Sequence, residues 1–315
     1  MKRLTHSQSV TLGVPLFATL VWLTALGLAA IPASVSADFN NPTRSTNIAL
    51  NPGGSLLFNV NREAHSVTVF QVKGGGAALQ NLQEIPVGRD PNCVAVRQGR
   101  AFVTNAHSGT VSVISLTGKF KVIKEIPVGA EPRGCVLTPD RKSLYVANHT
   151  AGTLSVINTQ SLRVSDTIPV GGNPMALAIV GNTVFVTQFY ARLIDDGDDQ
   201  GEGFDDQKEG VVQAFRINNP GSITEIPLSP LPDSGFTADR SRFCNNTADP
   251  DPVNQVYCPD VNANPGDEVI TKDPQAVFPN QLNSALTCGG KLYLPSIGAQ
   301  PEPPQFFNTN IQALV

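Results

Sequence analysis

The chain has 315 residues, 41% of them hydrophobic and 15% charged, a composition that buries a core and excludes a disordered chain. Its 27 Gly and 25 Pro suit many turns rather than long helices. The net charge of −4 leaves no basic surplus to hold phosphates, so nucleic acid is excluded as the expected partner.

The first 37 residues read as an export signal. Lys2 and Arg3 start it, residues 11–31 are apolar and uncharged, and Val35-Ser-Ala37 sets small residues before Asp38. The alternative is an uncleaved anchor, because about 20 apolar residues reach across a bilayer. Either reading puts the rest of the chain outside the cytoplasm, in the periplasm or at the cell surface.

A periodic region follows. LLFNVN (56–61) precedes SVTVFQV (66–72), Phe102-Val-Thr-Asn105 precedes SGTVSVI (108–114), and Tyr145-Val-Ala-Asn148 precedes AGTLSVI (151–157). Asn61, Asn105 and Asn148 are 44 and 43 residues apart. Between these pairs the chain repeats one phrase: IPVGRDP at 85–91, IPVGAEP at 126–132 and IPVGGNP at 168–174. A fixed period of this size marks a repeat architecture.

One unit, 126–168, reads as four short strands. Pro127 belongs at a strand end. CVL is followed by the turn Thr138-Pro-Asp-Arg141, then SLYVAN, TLSVIN and RVSDTIPV. Four strands in about 42 residues make a β-propeller blade. Asn is expected at the turn for its tolerance of left-handed backbone, and the Gly of IPVG for a sharp reversal into the next blade. The phrase therefore reads as architecture, closing one blade and launching the next.

These YVAN and FVTN strands, the GTLSVI and GTVSVI strands and the IPVG links resemble the YVTN repeat family of exported or surface-associated propellers. The resemblance covers about 46–188 and implies an all-β propeller, usually of seven blades. Phe185-Val-Thr-Gln188 departs from it by placing Gln where the others have Asn.

Blades are expected at about 43–87, 88–128, 129–170 and 171–228, the fourth interrupted by an acidic insert at 191–209. A second insert spans 229–276, and a partial blade, 277–315, restarts with Pro279 matched to Pro174 and Lys291-Leu-Tyr-Leu294 matched to the YVAN strand. A longer parent protein, a small closed propeller and closure by another chain all remain open.

Cys244 and Cys258 share one Pro-rich segment and are the expected disulfide. Cys93 and Cys135 occupy neighbouring repeats one step out of register, which should point them to opposite faces of their strands. That pairing is the less favoured one. Cys288 is left over.

His65, His107 and His149 are 42 residues apart but lie four, two and one residues after the turn Asn. Neighbouring blades hold such turns about 10 Å apart, whereas ligation needs about 2 Å to each nitrogen. They read as turn residues. The segment DDGDDQGEGFDDQKE, 195–209, holds eight acids and one Lys. Asp195, Asp196, Asp198, Asp199 and Glu202 are candidate Ca²⁺ ligands, with a solvated acidic loop as the alternative. Arg89 and Arg133 stand near the links, where they could line the central channel, and nothing in the sequence raises them above surface arginines.

No Gly-x-Ser-x-Gly, His-Glu-x-x-His, phosphate loop or Cys-x-x-Cys-His occurs. Three functions are carried forward. The first is a non-enzymatic exported propeller that binds or scaffolds protein or glycan. The second is a propeller module of a periplasmic oxidoreductase whose haem or other redox domain lies outside this chain. The third is a propeller hydrolase or lactonase.

Overall fold

A computed structural model describes residues 47–194, 206–233, 237–239, 272–274, 276–299 and 311–314. Alternating apolar residues and closely spaced turns give successive antiparallel meanders. Blade one holds β1 (Ile48–Leu50), β2 (Leu56–Asn61), β3 (Ser66–Lys73) and β4 (Ala78–Pro86). Blade two holds β5 (Pro91–Arg97), β6 (Arg100–Asn105), β7 (Thr110–Ser115) and β8 (Lys121–Pro127). Blade three holds β9 (Pro132–Leu137), β10 (Ser143–Asn148), β11 (Thr153–Asn158) and β12 (Arg163–Pro169). Blade four holds β13 (Pro174–Val180), β14 (Thr183–Gln188), β15 (Arg192–Leu193), β16 (Lys208–Arg216) and β17 (Asn219–Leu228), with β15 paired to β16. These are β-propeller blades in sequence.

β18 (Thr237–Asp239) pairs with β19 (Lys272–Pro274). β20 (Phe278–Asn280), β21 (Leu286–Cys288), β22 (Lys291–Tyr293), β23 (Ser296–Ala299) and β24 (Ile311–Leu314) follow. Pro279 does not match Pro174. It lies in β20, which pairs with β23, and the strand that pairs with Lys291–Tyr293 is β21. The inner-strand role falls to β21 because Ala285, just before it, packs on Ala176 and Ala178 of blade four.

Each seam between blades is its own apolar cluster. Phe58, Val67 and Val69 of blade one meet Val94, Val96 and Val103 of blade two. Cys93, Ala95 and Phe102 of blade two meet Cys135, Leu137 and Leu144 of blade three. Val136 and Tyr145 of blade three meet Leu177, Ile179 and Val186 of blade four. Side chains alternate along β5 and β9, so each strand feeds two seams. Phe58, Phe102, Leu144 and Leu154 are wholly excluded from solvent, and such burial contributes about 1.5–3 kcal/mol per side chain.

That alternation reverses one expectation. Cys93 and Cys135 form a disulfide, with Cα atoms 5.8 Å apart. They do point to opposite faces of their own sheets. In a stack of sheets, however, the facing sides of two neighbours are opposite faces. Being one step out of register is what lets the two sulfurs meet. Cys244 and Cys258 lie outside the described residues, and Cys288 is a free, exposed thiol.

The repeated Asn and Gly also serve differently from the turn roles expected of them. Asn61, Asn105 and Asn148 end their strands in ladder register and have no left-handed backbone. Their amides reach across to the next strand. Asn105 Nδ2 donates to Thr110 Oγ1 (3.1 Å) and Ser112 Oγ (2.8 Å). Asn148 Nδ2 donates to Thr153 Oγ1 and Ser155 Oγ, both at 3.0 Å. Asn61 Nδ2 donates to Ser66 Oγ (3.0 Å) and Thr68 Oγ1 (2.7 Å). In blade two the row continues, because Ser112 Oγ donates to Glu125 Oε1 (2.5 Å) on the outermost strand. A Cβ on Gly88 would stand 2.6 Å from the Asn105 side chain, and one on Gly129 2.7 Å from that of Asn148. Gly88 and Gly129 are there because the amide fills the space.

Blade four makes a matched exchange. Gln188 replaces Asn, and Gln213 takes the Ser112 position with its Oε1 accepting from Gln188 Nε2 at 3.2 Å. The longer side chain moves the close approach by one residue. Gly172 now abuts Gln188, and Gly171 turns to φ 68°.

Among the described residues, no helix is long and apolar enough to cross a membrane. The segment read as an export signal, 1–37, lies outside them.

Candidate functional site

The links between blades and the turns after β2, β6, β10 and β14 gather at one end of the sheets. Each of the first three links ends in an acid or amide followed by Pro: Asp90-Pro91, Glu131-Pro132 and Asn173-Pro174. Asp90 and Glu131 have φ 55° and 57°, unusual for residues that carry a Cβ. Gln281, ahead of the inner strand β21, has φ 50°. Strain of this kind persists only where the surroundings impose it. Here the imposing bond recurs: the residue after each Asn or Gln donates its N–H to the strained or equivalent carbonyl. Ala106 bonds Asp90 O (2.8 Å), His149 bonds Glu131 O (2.9 Å) and Phe189 bonds Asn173 O (2.9 Å).

The inner strands then begin with a bulge. Between Pro91 and Val94 two residues of β5 face one of β6, and the same shift occurs after Pro132 and after Pro174. Bulges re-aim side chains. The residues after the second and third Pro, Arg133 and Met175, both line a depression of about 520 Å³.

One wall of the depression is an ion-pair network. Arg62 grips both carboxylate oxygens of Asp90, Nε to Oδ1 and Nη2 to Oδ2 at 3.2 Å. Arg133 stands 3.8 Å from Asp90 Oδ2 and bonds Glu131 through Nη2 and Nε. Thr150 Oγ1 donates to Glu131 Oε2. His107 Nε2 lies 3.8 Å from Asp90 Oδ2, and the Asp90 N–H points at His65 Nδ1 (3.3 Å). Burial acts to raise the Asp90 carboxyl, but the Arg62 hydrogen bond and charge, with Arg133 and His107, hold it below the usual carboxylate range. Burial likewise opposes ionisation of Glu131, and Thr150 and Arg133 outweigh it, so its pKa is also lowered.

The other wall is aromatic. Phe189 and Tyr190 meet edge to face, with ring centroids 4.7 Å apart at 81°. His149 packs on Phe189 at 5.6 Å and 79°. The backbone around the pair is pinned, since Leu282 N bonds Phe189 O (3.2 Å) and Ala191 N bonds Asn280 Oδ1 (3.1 Å). Tyr190 is nevertheless 57% exposed. Asn173 and Asn283 complete the rim.

The histidines thus enter three different settings: His107 at the edge of Asp90, His65 against the Asp90 backbone, and His149 in the aromatic wall. Among the described residues, no group of three or more His, Cys, Asp or Glu is placed to hold a metal ion. The candidate Ca²⁺ ligands Asp195, Asp196, Asp198, Asp199 and Glu202 lie outside the described residues. Arg89 is exposed and outside the network. Arg133 is the opposite case, its side chain only 16% exposed and central to the site. The residues that build the site stand just beyond IPVG, in the two positions before Pro. Asp90, Glu131 and Asn173, at 41 and 42 residue steps, carried the signal. Phe189 and Tyr190 had none, because nothing in other repeats matches them.

No protein-family model matches the chain. It is 27% identical over 101 residues to a 6-phosphogluconolactonase of Serratia proteamaculans, a match spanning 30% of this chain and 30% of that relative. Hydrazine synthase of Kuenenia stuttgartiensis is similar at 22% identity and a TM-score of 0.41, covering 63% of this chain and 69% of that one. A solved protein from Lactobacillus plantarum is similar at 14% identity and a TM-score of 0.44, covering 78% and 69%. The blades themselves, and not these likenesses, establish the fold.

Proposed function

We propose that this chain is an exported propeller of the YVTN type that acts as a non-enzymatic binding module for protein or glycan. The depression between Arg133 and Tyr190 is its binding site. The observation that carries this reading is the state of the two acids there. Asp90 and Glu131 are committed to Arg62, Arg133 and Thr150, and their carboxyls are held below the usual carboxylate range, so both are ionised at neutral pH. A general base works best with a pKa near the working pH, so neither carboxylate suits proton abstraction. What remains is a fixed polar wall facing a fixed aromatic wall, a surface shaped for recognition.

The test is to incubate the protein with soluble glycan and peptide fractions of a bacterial cell envelope. What is retained is recovered and its mass measured. The expected result is a ligand of unchanged mass, held about tenfold or more weakly by Arg133→Ala, as loss of charge-assisted hydrogen bonds implies. A ligand recovered cleaved or oxidised overturns the reading.

A further inference from the structure

The geometry points to an uncharged pyranose saccharide as the ligand of the Arg133–Tyr190 depression, an assignment that rests on the binding reading above. Charge comes first. Arg62 is paired with Asp90, and Arg133 with Glu131. The two guanidiniums and the two carboxylates cancel across the wall, so it offers no net charge to an anion or a cation. The wall keeps its value as a set of fixed, oriented polar groups.

Shape and polarity come next. Tyr190 is more than half exposed although its backbone is tied on both sides. Phe189 meets it edge to face, so the two rings do not stack away each other's surface. An aromatic ring held in water recovers its apolar contact area only when a ligand covers it. Around it stand neutral amides, Asn173 and Asn283, and the Thr150 hydroxyl. The matching ligand has a flat apolar C–H face and an equatorial rim of hydroxyls. A pyranose ring has both. A peptide segment supplies no hydroxyl rim, and a trimethylammonium head supplies no donors for the amides.

The experiment is saturation-transfer NMR on the full chain with methyl hexopyranosides and uncharged hexose tetrasaccharides. Uronate tetrasaccharides and choline serve as comparisons. Transfer is expected to the C–H protons of one pyranose face of the uncharged sugars. Tyr190→Ala should weaken tetrasaccharide binding about tenfold, the size of an aromatic contact of about 1.4 kcal/mol. Tyr190→Phe should retain it, and melting of both variants should match the parent protein. Absence of transfer to uncharged sugars overturns the proposal, as does a preference for uronate or choline, or an unchanged affinity in Tyr190→Ala. If the sugars fail while another ligand is retained and lost with Arg133→Ala, the saccharide assignment falls and the binding reading stands.

Discussion

Gly129 has no room for a side chain because Asn148 of the same blade occupies it. A Cβ there would stand 2.7 Å from the Asn148 amide. Gly129→Ala should therefore destabilise the protein by about 1–3 kcal/mol, the cost of overpacking. Asn148→Ala should also destabilise, by removing the bonds to Thr153 and Ser155. Because the two act on one contact, the double variant should lose less than the two single losses combined. Urea unfolding of the four proteins checks this, and additive losses would show that the Gly and Asn do not share the space.

The disulfide between Cys93 and Cys135 joins neighbouring blades 42 residues apart in sequence. Closing such a loop is expected to contribute about 2–4 kcal/mol. Reduction, or replacement of both residues by Ala, should lower the urea midpoint accordingly. Peptide mapping without reduction should recover 93 linked to 135. Recovery of either residue joined to a different cysteine would refute the seam geometry.

Acid should loosen the site before it unfolds the blades. Asp90 and Glu131 both titrate lower in the folded chain than when exposed. Their contribution is therefore complete above the ordinary carboxylate range near 4. It is lost as pH falls through the lower folded values. Melting temperature should hold level from pH 7 to about 5 and then fall. In Asp90→Asn that acid-dependent fall should be smaller, with stability at neutral pH reduced. An equal fall in the variant would mean that other carboxylates drive it.

The fold was largely legible in the sequence, and the site was not. The YVAN strands, the IPVG links and their even spacing declare four-stranded blades, and the Pro of IPVG does end the outermost strands β4, β8 and β12. The same pattern hides contacts between repeats. Reading one repeat at a time puts Cys93 and Cys135 on opposite faces and stops there. Only stacking turns opposite faces into facing ones. The repeated Asn and Gly suggest turn roles in the sequence, because their mutual contact is not between sequence neighbours and no local pattern shows it. Arg62 and Asp90 are 28 residues apart and belong to different blades, so no local motif announces them.

The measurement that bears most directly on the proposed role is hydrogen–deuterium exchange with and without the retained envelope ligand. Ligand should protect the segments around 129–133, 149–151 and 188–191 and leave the turns at the far end of the blades, 97–100 and 138–142, unchanged. A ligand that is retained but protects only residues away from the Arg133–Tyr190 depression would contradict the account.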